Sequence, residues 1–282
     1  MIKIESIAPL FDRYRGLIVD LWGVMHNGER LFAPAVAALA AARARGLGIV
    51  LLSNAPRRAA TAQQTLSDKF GLDPGLYDAL VTSGEATWQA LTQPNGDPLY
   101  QRLQHQALYC VAPERDLGFG EGLTQRFVDS LEAAQALLVL GPDDGLQDTG
   151  PYEGLLREAR TRNLPLICAN PDRVVMKGAR EQICAGAIAE RYEALGGAVH
   201  WHGKPYPPVY QSCLDLLGVP PRLVLAIGDS LRTDIAGANG AGIDSLWLAS
   251  GIHAKALTES SPEALAGSSG SSPNYFAPSL MA

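Results

Sequence analysis

The chain has 282 residues, of which 47% are hydrophobic and 18% charged, with a formal charge of −6; this composition excludes a disordered or fibrous protein and describes a globular one with a sizeable core. Lys and Arg are scattered rather than clustered, so neither nucleic acid nor an anionic membrane is expected as a partner, and no apolar run approaches transmembrane length. Cys110, Cys168, Cys184 and Cys213 form no C-x-x-C pair, which points away from a zinc site or a disulfide framework.

The start, Met1 to Glu5, has no basic patch leading into an apolar segment, so a cytoplasmic location is the expectation. Leu17-Ile18-Val19 predicts a buried strand running into Asp20. Pro34 to Arg45 predicts a helix, with Pro at its start and Gly46 behind its end, and Gly48 to Leu52 predicts a second strand leading to Ser53. A further helix is expected from about Pro56 to Phe70, closed by Gly71.

A separate α/β alternation follows: strands at Ala107 to Val111, Ala136 to Leu140 and Leu164 to Cys168, with helices around Leu123 to Ala133 and from Tyr152 to Thr161. The turn Asn170-Pro171-Asp172 lies behind its last strand, where an open sheet usually meets ligand, although turn formation alone explains those residue types. The first pattern then returns, with a helix at Pro207 to Leu217, a strand at Leu223 to Ile227, a helix at Asp234 to Asn239 and a strand at Ser245 to Ala249. Thr258 to Pro273, rich in Ser, Gly and Pro, predicts a mobile connection before Tyr275-Phe276. Continuous apolar strands separated by helices predict an α/β fold with a Rossmann-like, doubly wound parallel sheet. Its core is expected from residues 1–85 and 200–282, with an α/β domain inserted over 86–199.

If the strands ending at Asp20, Ser53 and Asp229 are parallel neighbours, their carboxyl ends share one crevice. Asp20 and Asp229 are hard oxygen donors of the kind Mg²⁺ takes, Ser53 offers a hydroxyl to a phosphate, and Lys204 a positive charge. Phosphoryl transfer needs little beyond such positioning and neutralisation.

Asp20-Leu21-Trp22-Gly23-Val24, Leu52-Ser53-Asn54, Gly203-Lys204-Pro205 and Gly228-Asp229-Ser230-Leu231-Arg232-Thr233-Asp234 occur in that order. In these segments the chain resembles the haloacid dehalogenase superfamily, and within it the class IIA phosphatases related to nitrophenylphosphatase. The resemblance implies that Asp20 is a nucleophile forming an aspartyl-phosphate. It further implies that Asp20, Asp229 and the backbone carbonyl of Trp22 bind Mg²⁺, that Ser53, Asn54 and Lys204 hold phosphate, and that Asp234 orients the metal's waters or Lys204. The inserted domain would be a cap, the substrate a small phosphorylated metabolite, and pairing through the cap would give a homodimer.

Trp22 stands where these phosphatases carry a general acid and base aspartate. Such help is typically worth roughly 10² to 10⁴ in rate, or about 3 to 5 kcal/mol of barrier. Its loss matters most for alkyl phosphates, whose alkoxide leaves poorly. Three readings stay open: weak hydrolysis restricted to good leaving groups, a phosphoester-binding protein without turnover, and attack at carbon as in dehalogenases, against which Asp229 and Asp234 speak. His26 is near enough in sequence to be weighed as a substitute acid, against the plainer role of a hairpin histidine.

Overall fold

In the computed structural model, which describes residues 1–177 and 180–282, the strands in chain order are β1 (Ile2–Lys3), β2 (Gly16–Asp20), β3 (Gly48–Ser53), β4 (Ala79–Thr82), β5 (Ala107–Val111), β6 (Arg126–Val128), β7 (Ala136–Val139), β8 (Leu166–Cys168), β9 (Val174–Lys177), β10 (Arg180–Ile183), β11 (Val199–Trp201), β12 (Val224–Gly228), β13 (Asp244–Leu248) and β14 (Tyr275–Ala277). The α-helices are α1 (Ala33–Ala44), α2 (Ala59–Asp68), α3 (Ser83–Thr92), α4 (Pro98–Arg102), α5 (Glu153–Thr161), α6 (Ala185–Ala194), α7 (Pro207–Leu217), α8 (Ala236–Gly240) and α9 (Pro262–Ser269). Two compact units result. Met1–Ser53, Ala60–Val81 and Lys204–Ala282 form the first, and Asn54–Ala59 with Thr82–Gly203 the second. The expected boundary between residues 85 and 86 lies inside α3.

The first unit is built on a sheet of order β1-β14-β13-β12-β2-β3-β4. The central strands are all parallel, β12 to β13 and β2, and β2 to β3. Because side chains alternate along a strand, Leu17, Val19, Ile49, Leu51, Leu225, Ile227, Leu246 and Leu248 share one face, where they form a core with Ala35, Ala38, Leu39 and Ala42 of α1 and Leu66 of α2. Fully burying each such Leu, Ile or Val stabilises by about 1.5–3 kcal/mol. Small alanines on α1 let the helix sit close to the sheet. On the other face α7 packs against β3 and buries Val209, Tyr210, Cys213 and Leu214. Helices on both faces explain why these strands read as unbroken apolar runs.

The second unit holds a parallel sheet of order β11-β8-β7-β5-β6 and a separate antiparallel pair, β9 and β10. Leu137 and Val139 of β7 face a core with α5 and α6, while Ala136 and Leu138 face a second one with Leu91, Leu99 and Leu103.

Two expected elements are different. The helix expected around Leu123 to Ala133 is instead the edge strand β6, whose Arg126, Phe127 and Val128 pair with Ala107, Leu108 and Tyr109. A non-local partner strand, invisible in a local pattern, decides that segment. The mobile connection expected from Thr258 to Pro273 contains α9. Its Ser, Pro and Gly are helix signals: Ser261 Oγ accepts from the Ala264 N–H at 3.2 Å, Pro262 occupies the first turn, and Gly270 ends the helix at φ 71°. Ala266 anchors α9 on Leu231, Ile235 and Trp247. Tyr275 and Phe276, which follow this segment, belong to β14, a strand between β13 and β1.

Candidate functional site

β12, β2 and β3 are adjacent and parallel, with Ile227 opposite Val19 and Asp20 opposite Leu52. Asp229, Asp20 and Ser53 therefore stand together at the carboxyl ends of three neighbouring strands, and all three are buried. Lys204 reaches the same place from the start of the segment leading to α7. Its ammonium donates to Asp20 Oδ1, to Asp234 Oδ1 at 2.6 Å and to the Leu52 carbonyl at 3.3 Å. Lys204 is only 3% exposed, and these partners offset the cost of its desolvation. A cavity of about 10 Å³ beside Asp20, Lys204, Tyr210 and Asp234 has room for no more than a single water.

The acidic heptad folds as a wide turn. Ser230 Oγ accepts from the Thr233 N–H at 3.3 Å, and the Ile235 N–H reaches the Ser230 carbonyl at 3.1 Å, a π-type bond. Asp234 Oδ2 accepts the Ser230 N–H at 3.0 Å, which leaves Oδ1 turned to Lys204. Gly228 makes this possible, because a Cβ there would stand 2.2 Å from Asp234 Cβ. The helix expected from Asp234 thus starts earlier, as the π turn Leu231–Ile235. Asp229 Oδ2 accepts the Ile252 N–H at 2.8 Å. That donor was not legible in the sequence: a backbone amide of the loop after β13 carries no residue signature.

Carboxylate oxygens of Asp20, Asp229 and Asp234 all lie within 4.8 Å of one another. Burial pushes Asp20 well above the ordinary carboxylate range; Lys204 opposes this, while Asp234 and Asp229 push it further up. Three buried carboxylates with one ammonium repel one another, and a hard divalent cation suits that donor set.

Trp22 is half-buried at the head of a hairpin. The Gly23 N–H donates to the His26 carbonyl at 2.8 Å, and Gly28, at φ +86°, lies so close to the indole that a Cβ would stand 2.5 Å from it. His26 is buried behind it, edge-on to Trp22 at 5.2 Å and stacked on Phe70 at 4.6 Å. Its Nδ1 accepts the Gly28 N–H at 3.0 Å. Burial, with a smaller contribution from Lys69, pushes His26 down to about 4. The ring is therefore neutral near pH 7, the form expected of a hairpin histidine.

This has a consequence for stability. The unfolded imidazole takes up a proton below about 6.5, the folded one only below about 4. The stabilisation from a neutral His26 is thus complete above the unfolded value and is lost as the pH falls between the two, a change of about 3 kcal/mol. His26→Gln, which keeps an acceptor for Gly28, is expected to lower the thermal midpoint at pH 7 and to approach wild type at pH 4.5; a pH-independent gap would contradict it.

Ser53 does not cap the next helix, because α2 begins at Ala59, out of its reach. Asn54 belongs to the second unit, where its side-chain amide donates to Asp172 Oδ1 at 2.9 Å. Asn170 Oδ1 accepts the Asp172 N–H at 3.0 Å, so the Asn170-Pro171-Asp172 turn is closed by its own side chain. Ser83 Oγ fastens the same unit through the carbonyls of Ala55 and Ala169.

Comparison with known proteins agrees with this architecture. The haloacid dehalogenase-like hydrolase family matches residues 17–117, and the HAD-hydrolase-like family residues 201–281. N-acylneuraminate-9-phosphatase of Rattus norvegicus is 35% identical over 51% of this chain and 60% of its own length, so the chain spans about three fifths of that relative. Chronophin of Rattus norvegicus is 24% identical over 98% of this chain and 88% of its own. A solved haloacid dehalogenase-like family hydrolase from Brucella suis 1330 superimposes with a TM-score of 0.86 at 35% identity, over 99% of this chain and 100% of that one. A relative so similar over its entire length, on a sheet that brings the four motifs to one rim, makes this chain a member of the haloacid dehalogenase-like hydrolase family.

Proposed function

We propose that the protein is a divalent-metal-dependent phosphatase acting on a small phosphorylated metabolite, best on substrates with good leaving groups. The observation that carries this reading is the buried set Asp20, Lys204, Asp229 and Asp234 at the ends of adjacent parallel strands. The relative named as a phosphatase, N-acylneuraminate-9-phosphatase, supports the same class.

Asp20 is the proposed nucleophile. Its oxygen forms a bond to phosphorus as the ester oxygen departs with its electron pair, leaving an aspartyl-phosphate; water then cleaves that acyl phosphate, returning Asp20 and inorganic phosphate. Lys204, bonded to both Asp20 and Asp234, supplies the fixed positive charge, and Ser53, with Asn54 next to it in the chain, is proposed to hold phosphate oxygens. Mg²⁺, held by Asp20, Asp229 and the Trp22 carbonyl, would neutralise charge on the transferring group. Asp234 acts through Lys204, keeping the ammonium oriented.

Neither Trp22 nor the neutral, hydrogen-bonded His26 can protonate a leaving group. An aryloxide or a carboxylate departs without that help, whereas an alkoxide does not. The water that attacks the aspartyl-phosphate also lacks a base, so the covalent form should accumulate. The test is a phosphoester panel with Mg²⁺: aryl and acyl phosphates are expected to turn over roughly 10²-fold faster than alkyl ones, with activity lost on chelation and acid-stable label retained on the protein. Equal rates on aryl and alkyl esters would refute the restriction. Tight, metal-dependent phosphate binding with no turnover on any substrate would instead establish a binding protein, the reading that the hairpin-bound Trp22 favours next.

A further inference from the structure

The loop that follows β13 carries residues with no role so far, and it meets the proposed metal site through backbone alone. Asp229 Oδ2 receives the Ile252 N–H at 2.8 Å. The same oxygen is enclosed by two glycines: a Cβ would come within 1.7 Å of it at Gly251 and 2.1 Å at Gly23. No side chain fits at either position unless Asp229 moves. Ser250 Oγ ties the loop to the Gly23 carbonyl at 3.4 Å, and the residue after Ile252 ties it to the acidic heptad. His253 Nε2 accepts the Leu231 N–H at 3.2 Å, and its ring meets Trp247 edge-on at 5.6 Å. Trp247 in turn donates Nε1–H to the Asp229 carbonyl at 3.0 Å.

The Leu231 N–H is a first-turn donor of the acidic heptad, one that the turn itself leaves without a partner. His253 satisfies it from a different part of the chain, which leaves the ring proton on Nδ1. We infer that His253 is a positioning residue for the cation site: by tying the loop after β13 to the start of the heptad turn, it keeps the Ile252 N–H on Asp229 and fixes the direction of that carboxylate. This rests on the reading of Asp229 as a metal ligand. Groups hydrogen-bonded to a metal ligand, as the Ile252 N–H is to Asp229, commonly change metal affinity by about 10- to 100-fold when removed, and His253 acts on this one through the loop. Phenylalanine offers a somewhat larger ring to the space beside Trp247 and no acceptor to the Leu231 N–H.

The test uses Mn²⁺ as the probe, with free Mn²⁺ titrated by electron paramagnetic resonance against the full-length protein. His253→Phe keeps an aromatic ring and loses the acceptor; it is expected to weaken Mn²⁺ binding about 10-fold in a protein that stays folded, with a lower thermal midpoint because the Leu231 N–H loses its partner. His253→Gln, which offers an amide oxygen to Leu231, should restore most of the affinity. Gly251→Ala should weaken binding at least as much as His253→Phe, because its methyl group takes the place of Asp229 Oδ2. His253→Leu provides the same reading should phenylalanine not be accommodated. Unaltered Mn²⁺ affinity in a folded variant without the acceptor overturns the inference. The underlying reading fails separately: if Asp229→Asn binds Mn²⁺ as well as wild type, Asp229 is not a ligand, whereas dependence on Asp229 but not on His253 defeats only the positioning role.

Discussion

Asp20→Asn is expected to bring hydrolysis of every phosphoester to the uncatalysed background, a loss of roughly 10⁴-fold or more where a covalent nucleophile is removed, while the protein stays folded. The amide has nearly the shape of the carboxylate and cannot form the acyl phosphate. Lys204 keeps Asp234 Oδ1 at 2.6 Å and the Leu52 carbonyl at 3.3 Å, so its charge is not stranded. Burial and the neighbouring Asp234 and Asp229 hold the Asp20 carboxyl well above its ordinary range, against the pull of Lys204. Such a group is more costly to ionise folded than unfolded, so near pH 7 it weakens the fold, and its replacement relieves that cost. Without divalent cation the thermal midpoint of the variant should therefore equal or exceed that of wild type. A cation that binds only the folded state raises the midpoint in proportion to its affinity, and the rise produced by Mg²⁺ should shrink in Asp20→Asn. Phosphatase activity surviving this substitution would exclude Asp20 as the nucleophile and with it the proposed chemistry.

Trp22→Asp should raise turnover on alkyl phosphates by roughly 10² to 10⁴ and on aryl phosphates much less. A carboxyl two residues beyond Asp20 restores proton transfer to the leaving oxygen and from the attacking water. The gain is therefore confined to reactions in which the proton matters. The substitution is not free for the fold: the half-buried indole packs against Gly28 and His26, and its loss should lower stability by about 2 kcal/mol. Trp22→Phe separates the two effects, because it shortens the aromatic contact and adds no acid. A folded Trp22→Asp protein with no gain on alkyl esters, or an equal gain in Trp22→Phe, would show that Trp22 does not stand in for the acid. Loss of labelled aspartyl-phosphate in Trp22→Asp, measured by acid quench, is the independent sign that its breakdown has been restored.

Much of the fold was legible in the sequence because it is written in short-range terms. Leu17 to Val19, Gly48 to Leu52 and Leu223 to Ile227 are apolar without a break, as buried parallel strands must be, and Pro and Gly bracket the helices between them. Where a partner strand or a packed face decided the outcome, local reading failed. Arg126 to Val128 is a strand only because β5 lies alongside it. Pro262 to Ser269 is a helix because Ser261 caps it and Ala266 has a core to enter, although its composition resembles that of a linker.

The same division runs through the site. Asp20, Ser53, Lys204, Asp229 and Asp234 announce themselves, since carboxylates, a hydroxyl and an ammonium after apolar strands are chemically conspicuous residue types. Sequence alone also located Trp22 at the position where the resemblance expects a proton-transferring aspartate. It did not determine that Lys204 bridges Asp20 and Asp234, that His26 is bound to Gly28 and kept neutral, or that Asp229 leans on the Ile252 N–H. The first and last are facts about distance between segments remote in the chain, the second depends on the burial of a hairpin, and two of them use backbone groups that every residue possesses. Residue identity determines which chemistry is available; the packing of β2, β3, β12 and the loop after β13 decides which groups meet, and so which protons and charges can be used.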